Sequence, residues 1–154
     1  TRGMGNFMKL YTVAELEFGS EKYEQTVLLR DKVMRKPLGL SIKNDDLSFE
    51  RYATVLAVFE SDTILGTGTF VSEDEGTAKI RYLCVDPELQ KSGVGRAIIE
   101  DIEQRSKRHG IRKICLESRV TAMGFYKNLG YREYGDTYLM NEAPVDHIWM
   151  EKKL

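Results

Sequence analysis

Cysteine is scarce in this chain, with only Cys84 and Cys115 among 154 residues. Each lies in an apolar run, which reads as a pair of buried, reduced thiols in a cytoplasmic protein and not as a disulfide. No group of His, Cys, Asp and Glu has metal-ligand spacing, so no metal is expected. Stretches rich in Pro, Gly or Ser are missing, as are internal repeats and low-complexity tracts, and one domain is the economical organisation. No apolar run approaches the ~20 residues of a membrane span, and there is no secretory h-region. Charge of one sign is not in excess either: 23 basic residues face 24 acidic ones, for a net charge of −1. That balance sets up no field to attract nucleic acid or an anionic membrane.

What is present is a hydrophobic share of 42% beside a charged share of 31%, the profile of a globular chain with one core. Residues 1–7 read as an expression remnant or N-terminal extension, with a natural start at Met4 or Met8, and the domain as residues 8–154. Residues 7–16 are apolar with β-branched and aromatic members, a first strand. Ser20 is a good N-cap for a helix over 21–34, broken by Pro37 and Gly39. Apolar runs at 51–60, 64–71 and 77–85, joined by short turns, predict an antiparallel meander. Val94, Ala97, Ile98 and Ile102 mark a helix over 94–109 that Gly110 ends. A strand over 111–118, a short helix carrying Ala122, Phe125, Tyr126 and Leu129, and strands over 131–140 and 147–152 follow. The order β-α-β-β-β-α-β-α-β-β is an α/β chain of the α+β kind, a mixed sheet with helices on both faces.

The chemistry concentrates between the third meander strand and the helix after it. Asp86-Pro87 leaves the strand, and Gly93 and Gly95 open the helix. Amides at a helix N-terminus lack partners and carry partial positive charge, which suits a phosphate. Residues Gln90, Lys91, Ser92, Gly93, Val94, Gly95 and Arg96 are therefore candidates to hold a diphosphate, with Lys91 and Arg96 adding charge. A Rossmann fingerprint would need a third glycine where Ile98 stands. A P-loop would need Gly-Lys-Ser/Thr after four intervening residues, an order not found here.

Val85-Asp86-Pro87 followed by Gln90-Lys-Ser-Gly93-Val-Gly95 resembles the acetyl-CoA motif of the GNAT superfamily of N-acetyltransferases. Ala122-Met-Gly-Phe-Tyr126-Lys-Asn-Leu-Gly130-Tyr131 resembles that family's second pattern, Ala-x-x-x-Tyr-x-x-x-Gly-Phe/Tyr. The resemblance implies a mostly antiparallel sheet splayed between its fourth and fifth strands, with pantetheine lying in the gap. Backbone groups of Leu83 and Val85 would bind the pantetheine amides, and an N–H near Leu83 or Cys84 would polarise the thioester carbonyl. It implies acetyl-CoA as co-substrate, a small-molecule or protein amine as acceptor, direct attack in a ternary complex, and a possible homodimer. The alternative is a non-catalytic module that binds coenzyme A.

Within that resemblance Tyr126 becomes the general acid for the departing thiolate; by spacing alone it is a core aromatic. Arg119 stands where many relatives have an asparagine that contacts pantetheine, and is assigned to the cofactor or its acyl carbonyl, or to a solvated loop. Lys79 occupies the place where some relatives carry a glutamate base. Glu50 and Glu117 are no better than surface carboxylates as bases, and water is an equal candidate. His147 and Trp149 alternate with Ile148 and Met150 on the last strand, where His147 reads as an edge-strand histidine or a base. Arg30 and Arg35 would suit a carboxylate on the acceptor, or a solvated helix face. A covalent route through Cys84 lacks a histidine nearby in sequence to activate the thiol.

Overall fold

The apolar runs pair into one sheet of seven strands in the computed structural model, which describes residues 10–154. The strands are β1 (Ala14–Leu16), β2 (Thr54–Glu60), β3 (Thr63–Asp74), β4 (Thr77–Val85), β5 (Lys113–Arg119), β6 (Arg132–Leu139) and β7 (Asp146–Lys153), in the order β1-β2-β3-β4-β5-β7-β6. All neighbours are antiparallel except β4 and β5, which run parallel. The helices are α1 (Glu21–Arg30), α2 (Val94–Arg108) and α3 (Met123–Asn128). Element order and fold class agree with the sequence reading, while several boundaries differ. The first strand covers only the end of the span expected over 7–16, of which residues 7–9 lie outside the described residues.

Consecutive Val55, Leu56, Ala57 and Val58 in β2 are all sealed from solvent, because α1 covers one face of the sheet and α2 the other. The buried stripe of α2 is Val94, Ile98, Ile99 and Ile102, each worth roughly 1.5–3 kcal/mol on burial. This stripe lies close on β3 because Gly66 and Gly68 leave room for it. A Cβ on Gly66 would sit 2.7 Å from Val94 Cγ1, and one on Gly68 2.9 Å from Ile98 Cγ2.

Ser20 caps α1, its hydroxyl accepting from the Tyr23 amide at 3.2 Å. The helix was expected to reach Met34, but it widens into a π turn over Asp31–Arg35. Pro37 supplies the reason, since it offers no N–H to the preceding turn and its ring crowds the carbonyl four residues back. Below α1 lies a buried charge network. Arg30 and Glu50 are 0% and 1% exposed and meet at 2.9 Å, Nη1 to Oε1. The Tyr23 hydroxyl donates to Glu50 Oε1 at 2.6 Å and Thr69 to Oε2 at 2.8 Å. Glu50 is thus a structural counter-ion and not a surface carboxylate, and Arg30 is no acceptor-binding group. A short 3-10 turn, Ser48–Arg51, carries Glu50 inward, so β2 starts at Thr54 and not at Arg51.

Two features open the sheet. Pairing between β4 and β5 runs only from Thr77↔Lys113 to Ile80↔Leu116; beyond it each strand keeps its other neighbour alone. In β4 the register jumps from Thr69↔Arg81 to Thr67↔Cys84, with Tyr82 at φ 55°. This bulge reverses the sides of the strand. Ile80 packs in the α2-side core, whereas beyond the bulge Leu83 and Val85 take that side. Tyr82 and Arg81 face α1, where the Tyr82 hydroxyl donates to Asp45 at 2.6 Å and Arg81 stacks on Phe49.

Removing one member of the buried pair leaves the other charge uncompensated, at a cost of about 3–5 kcal/mol. Glu50→Leu is expected to lower unfolding free energy by that amount in urea titrations at pH 7. A loss under ~1 kcal/mol, the size of an exposed pair, would show that the network is open to water.

Candidate active site

Where β4 and β5 part, a cleft of ≈ 1610 Å³ runs from Tyr11 and Gly93 at one end to Arg119 and His147 at the other. Small-ligand pockets usually hold ~300–1,000 Å³, so this one has room for a long ligand and a second molecule. The Asp86 amide donates to Leu65 of β3 at 2.9 Å. Strand alternation then points the Cys84 amide toward β3 as well, and turns the N–H and C=O groups of Leu83 and Val85 into the gap.

At one end of the cleft the chain forms a cradle over residues 90–96. Asp86 caps a 3-10 turn at Pro87–Leu89, and the Ser92 amide and hydroxyl both donate to Leu89 C=O. Gly93 is the N-cap of α2 at φ 96°, with no side-chain acceptor for the first-turn amides. The first helical bond joins the Ala97 amide to Gly93 C=O at 3.0 Å. A left-handed residue followed by helical ones turns successive amides toward one point, the geometry of an anion nest. Gly95 serves a different need: its missing Cβ would lie 3.1 Å from Phe125 Cζ and 3.4 Å from Val85 Cγ2. Val94 is wholly buried in the core under the sheet and does not line the cleft. Arg96 is half-exposed and pairs with Glu100 at 3.5 Å. Gln90, Lys91 and Ser92 line the cleft.

Tyr126 lines the middle, with rings of Phe125 and Tyr131 edge-on at 5.0 and 6.0 Å. Its hydroxyl has no hydrogen-bond partner among the described residues. Burial, and then the nearby Cys84 sulfur, hold the phenol's pKa well above the ordinary value. The Cys84 thiol is pushed up to about 12 by burial, against the pull of Arg30 and Arg35. It is protonated at neutral pH, which removes the physical basis for the covalent route.

The far end is lined by charged groups that are mostly matched. Arg35 forks onto Asp45 through Nε at 2.9 Å and Nη2 at 2.7 Å, which makes it a structural residue and not an acceptor-binding one. Lys79 meets Glu117 Oε1 at 2.7 Å, and the Tyr138 hydroxyl donates a short bond to Oε2. Burial alone would raise the Glu117 carboxyl, but those two donors hold it below the usual carboxylate range, a poor setting for a base. His147 is 4% exposed, and its Nδ1 lies 2.7 Å from the Val145 carbonyl, which fixes the proton on Nδ1. Its strand, β7, lies between β5 and β6 and is not the sheet edge expected for it. Arg119 faces His147 across the β5–β7 ladder and donates from Nη2 to Met34 C=O at 3.0 Å.

The sequence reading gave no part in the site to Tyr11, Phe125, Tyr138 or Met34. Phe125 had a signal, standing one residue before Tyr126 in the second motif; Tyr138 and the Met34 carbonyl had none. Among the described residues no helix is long and apolar enough to cross a membrane.

A family profile described as an acetyltransferase (GNAT) domain matches residues 38–154. An uncharacterised acetyltransferase of Streptococcus pyogenes, from the region 3′ of arcA, is 30% identical over 94 residues, 61% of this chain; the match spans 64% of that relative's length. Among solved structures, Escherichia coli ElaA superposes with a TM-score of 0.76 at 15% identity, over 93% of this chain and 99% of that one. An aminoglycoside 6′-N-acetyltransferase complexed with coenzyme A gives 0.73 at 15% identity, over 92% and 96%. At such identities the likeness is one of fold.

With a pKa near 12, fewer than about one Cys84 in 10⁴ is ionised at pH 7.5, and only the thiolate reacts. A thiol-specific disulfide reagent is expected to find neither Cys84 nor the buried Cys115 in the folded protein within minutes. Both should titrate at once in denaturant. Rapid native labelling at Cys84 would restore the nucleophile reading.

Proposed function

The chain belongs to the family of GNAT acetyltransferase domains, and from that premise we propose that it moves an acetyl group from acetyl-CoA to a primary amine by direct attack in a ternary complex. The observation that carries this reading is the continuity of the gap between β4 and β5 with the cradle at α2. The pyrophosphate sits on the amides of residues 90–96, supplemented by Lys91 and Arg96. The pantetheine chain takes the place of a strand against Leu83 and Val85. Cys84 contributes wall and not amide, so the oxyanion donor is the Leu83 N–H.

The amine arrives as an ammonium and gives one proton to water. Its lone pair forms the C–N bond to the thioester carbonyl carbon, and negative charge collects on the carbonyl oxygen facing Leu83. As that charge returns to re-form the carbonyl, the C–S bond breaks with its electron pair on sulfur, which takes a proton from Tyr126. The new amide nitrogen gives its second proton to water, and solvent then restores the phenol. A raised pKa keeps Tyr126 fully protonated until that moment, and the same dry surroundings raise the pKa of the sulfur it serves. An unshared hydroxyl at this place favours transfer over mere coenzyme A binding.

Acetyl-CoA consumption across an amine panel, with mass spectrometry of the product, tests the reaction. Two variants test the parts. Gly95→Val forces a branched side chain against the partly exposed Phe125 and across the cradle. It is expected to raise the acetyl-CoA Kd at least tenfold, about 1.4 kcal/mol, with an unchanged circular dichroism spectrum. Unaltered affinity would remove the pyrophosphate assignment. Tyr126→Phe is expected to slow single-turnover transfer by ~10²–10⁴-fold while the KM for acetyl-CoA barely moves. A wild-type single-turnover rate would reduce Tyr126 to packing.

A further inference from the structure

We propose that Arg119 makes the far end of the cleft a carboxylate subsite, so that the amine acetylated also carries a carboxylate, as a free amino acid does. This rests on the acetyl-transfer reading above and names its acceptor class. The other cations on this side of the sheet have partners of their own, Arg81 in the rings of Phe49 and Tyr82 at 4.2 and 5.4 Å and others in carboxylates. Arg30 meets Glu50, Arg35 meets Asp45, and Lys79 meets Glu117. Arg119 alone among these four has no carboxylate within ion-pair distance among the described residues; its one protein acceptor is the neutral carbonyl of Met34.

Its surroundings make that lack costly. Burial first, and the Arg35 guanidinium second, pull the Arg119 pKa below its ordinary value. A partly desolvated cation beside another cation is stabilised strongly by an anion. The geometry to receive one is in place. With Nη2 committed to Met34, Nε and Nη1 remain, and neither is among the donors sealed from solvent. Arg119 lines the same cleft as Tyr126 and Cys84, and a guanidinium offers a planar fork that matches a carboxylate.

The fork is held in place before any ligand arrives. The π turn over Asp31–Arg35 presents Met34 C=O to both Arg35 Nη1 and Arg119 Nη2, each at 3.0 Å. This draws Arg119 toward the α1 side of the gap. A pantetheine carbonyl, the partner implied by the sequence resemblance, is neutral and leaves the charge uncompensated.

The test measures kcat/KM for a panel of α- and ω-amino acids and dipeptides, each beside its amide, which keeps the amine and removes the anion. Wild type is expected to prefer carboxylates at least tenfold, the worth of a hydrogen-bonded charge. In Arg119→Gln that preference should collapse through a rise in KM for the carboxylate, while the acetyl-CoA Kd from calorimetry holds. The change in the ratio from wild type to variant cancels the differing basicity of acid and amide. Arg119→Lys keeps the charge without the fork and is expected to fall between the two; it also serves if the glutamine variant does not fold. A preference intact in Arg119→Gln with a weakened acetyl-CoA Kd would assign Arg119 to the cofactor instead. Protein that binds acetyl-CoA but transfers to no carboxylate-bearing amine overturns the subsite alone. Failure to bind acetyl-CoA overturns the function it rests on.

Discussion

A parallel ladder that ends after four residue pairs leaves two strands running on with their facing backbone groups unused. Buried amides and carbonyls must be satisfied by something, and along β4 beyond Ile80 the sheet supplies nothing on that side. The gap persists because both flanking strands are anchored elsewhere. β4 continues against β3 as far as Val85, and β5 against β7 as far as Arg119. Cleft, cradle and the place of Tyr126 all follow from that divergence. The α2 helix begins where β4 ends, and α3 rises where β5 ends, so the two motifs meet over the gap although some thirty residues separate them.

The walls of the cleft are set by ionic contacts that were not visible in advance. Arg30 and Glu50 tie α1 to the turn before β2 and, through Thr69, to β3. Arg35, Asp45 and Tyr82 tie the end of α1 to β4. Between these two clamps the helix widens, because Pro37 follows just beyond the second. The Met34 carbonyl thus stands where two guanidinium groups reach it. Buried pairs of this kind contribute little net stability against a hydrophobic alternative; their effect here is one of placement.

Much of the fold was legible because the signals were local. The β2–β4 meander showed in runs broken by turn residues, and α2 in the spacing of Val94, Ile98 and Ile102. The cradle showed in Gly93 and Gly95, though only packing against Phe125 explains why position 95 is glycine. What stayed hidden depends on contacts distant in sequence. Arg30 and Glu50 each read as a surface charge, because no local pattern marks two charges for mutual burial. His147 read as an edge residue because chain order gives β7 last, while β6 takes the outer place. The bulge at Tyr82 falls in a strand of ordinary alternation, and no glycine announces it.

That bulge carries a consequence for how the strand can vary. β4 holds one residue more than its partner requires, and the surplus acts as a change of phase: side chains before it keep one rhythm, those after it the opposite one. Losing a single residue there would restore a regular ladder with Leu83 and Val85 still on the α2 side, but without one of the two neighbouring side chains, Arg81 and Tyr82, that now face α1 together. Keeping every residue but pairing the strand without the bulge would instead turn Cys84 inward and Leu83 and Val85 outward. The ladder therefore tolerates a change in length at this point, and what the surplus residue secures is a second side chain on the α1 side, through which Tyr82 reaches Asp45.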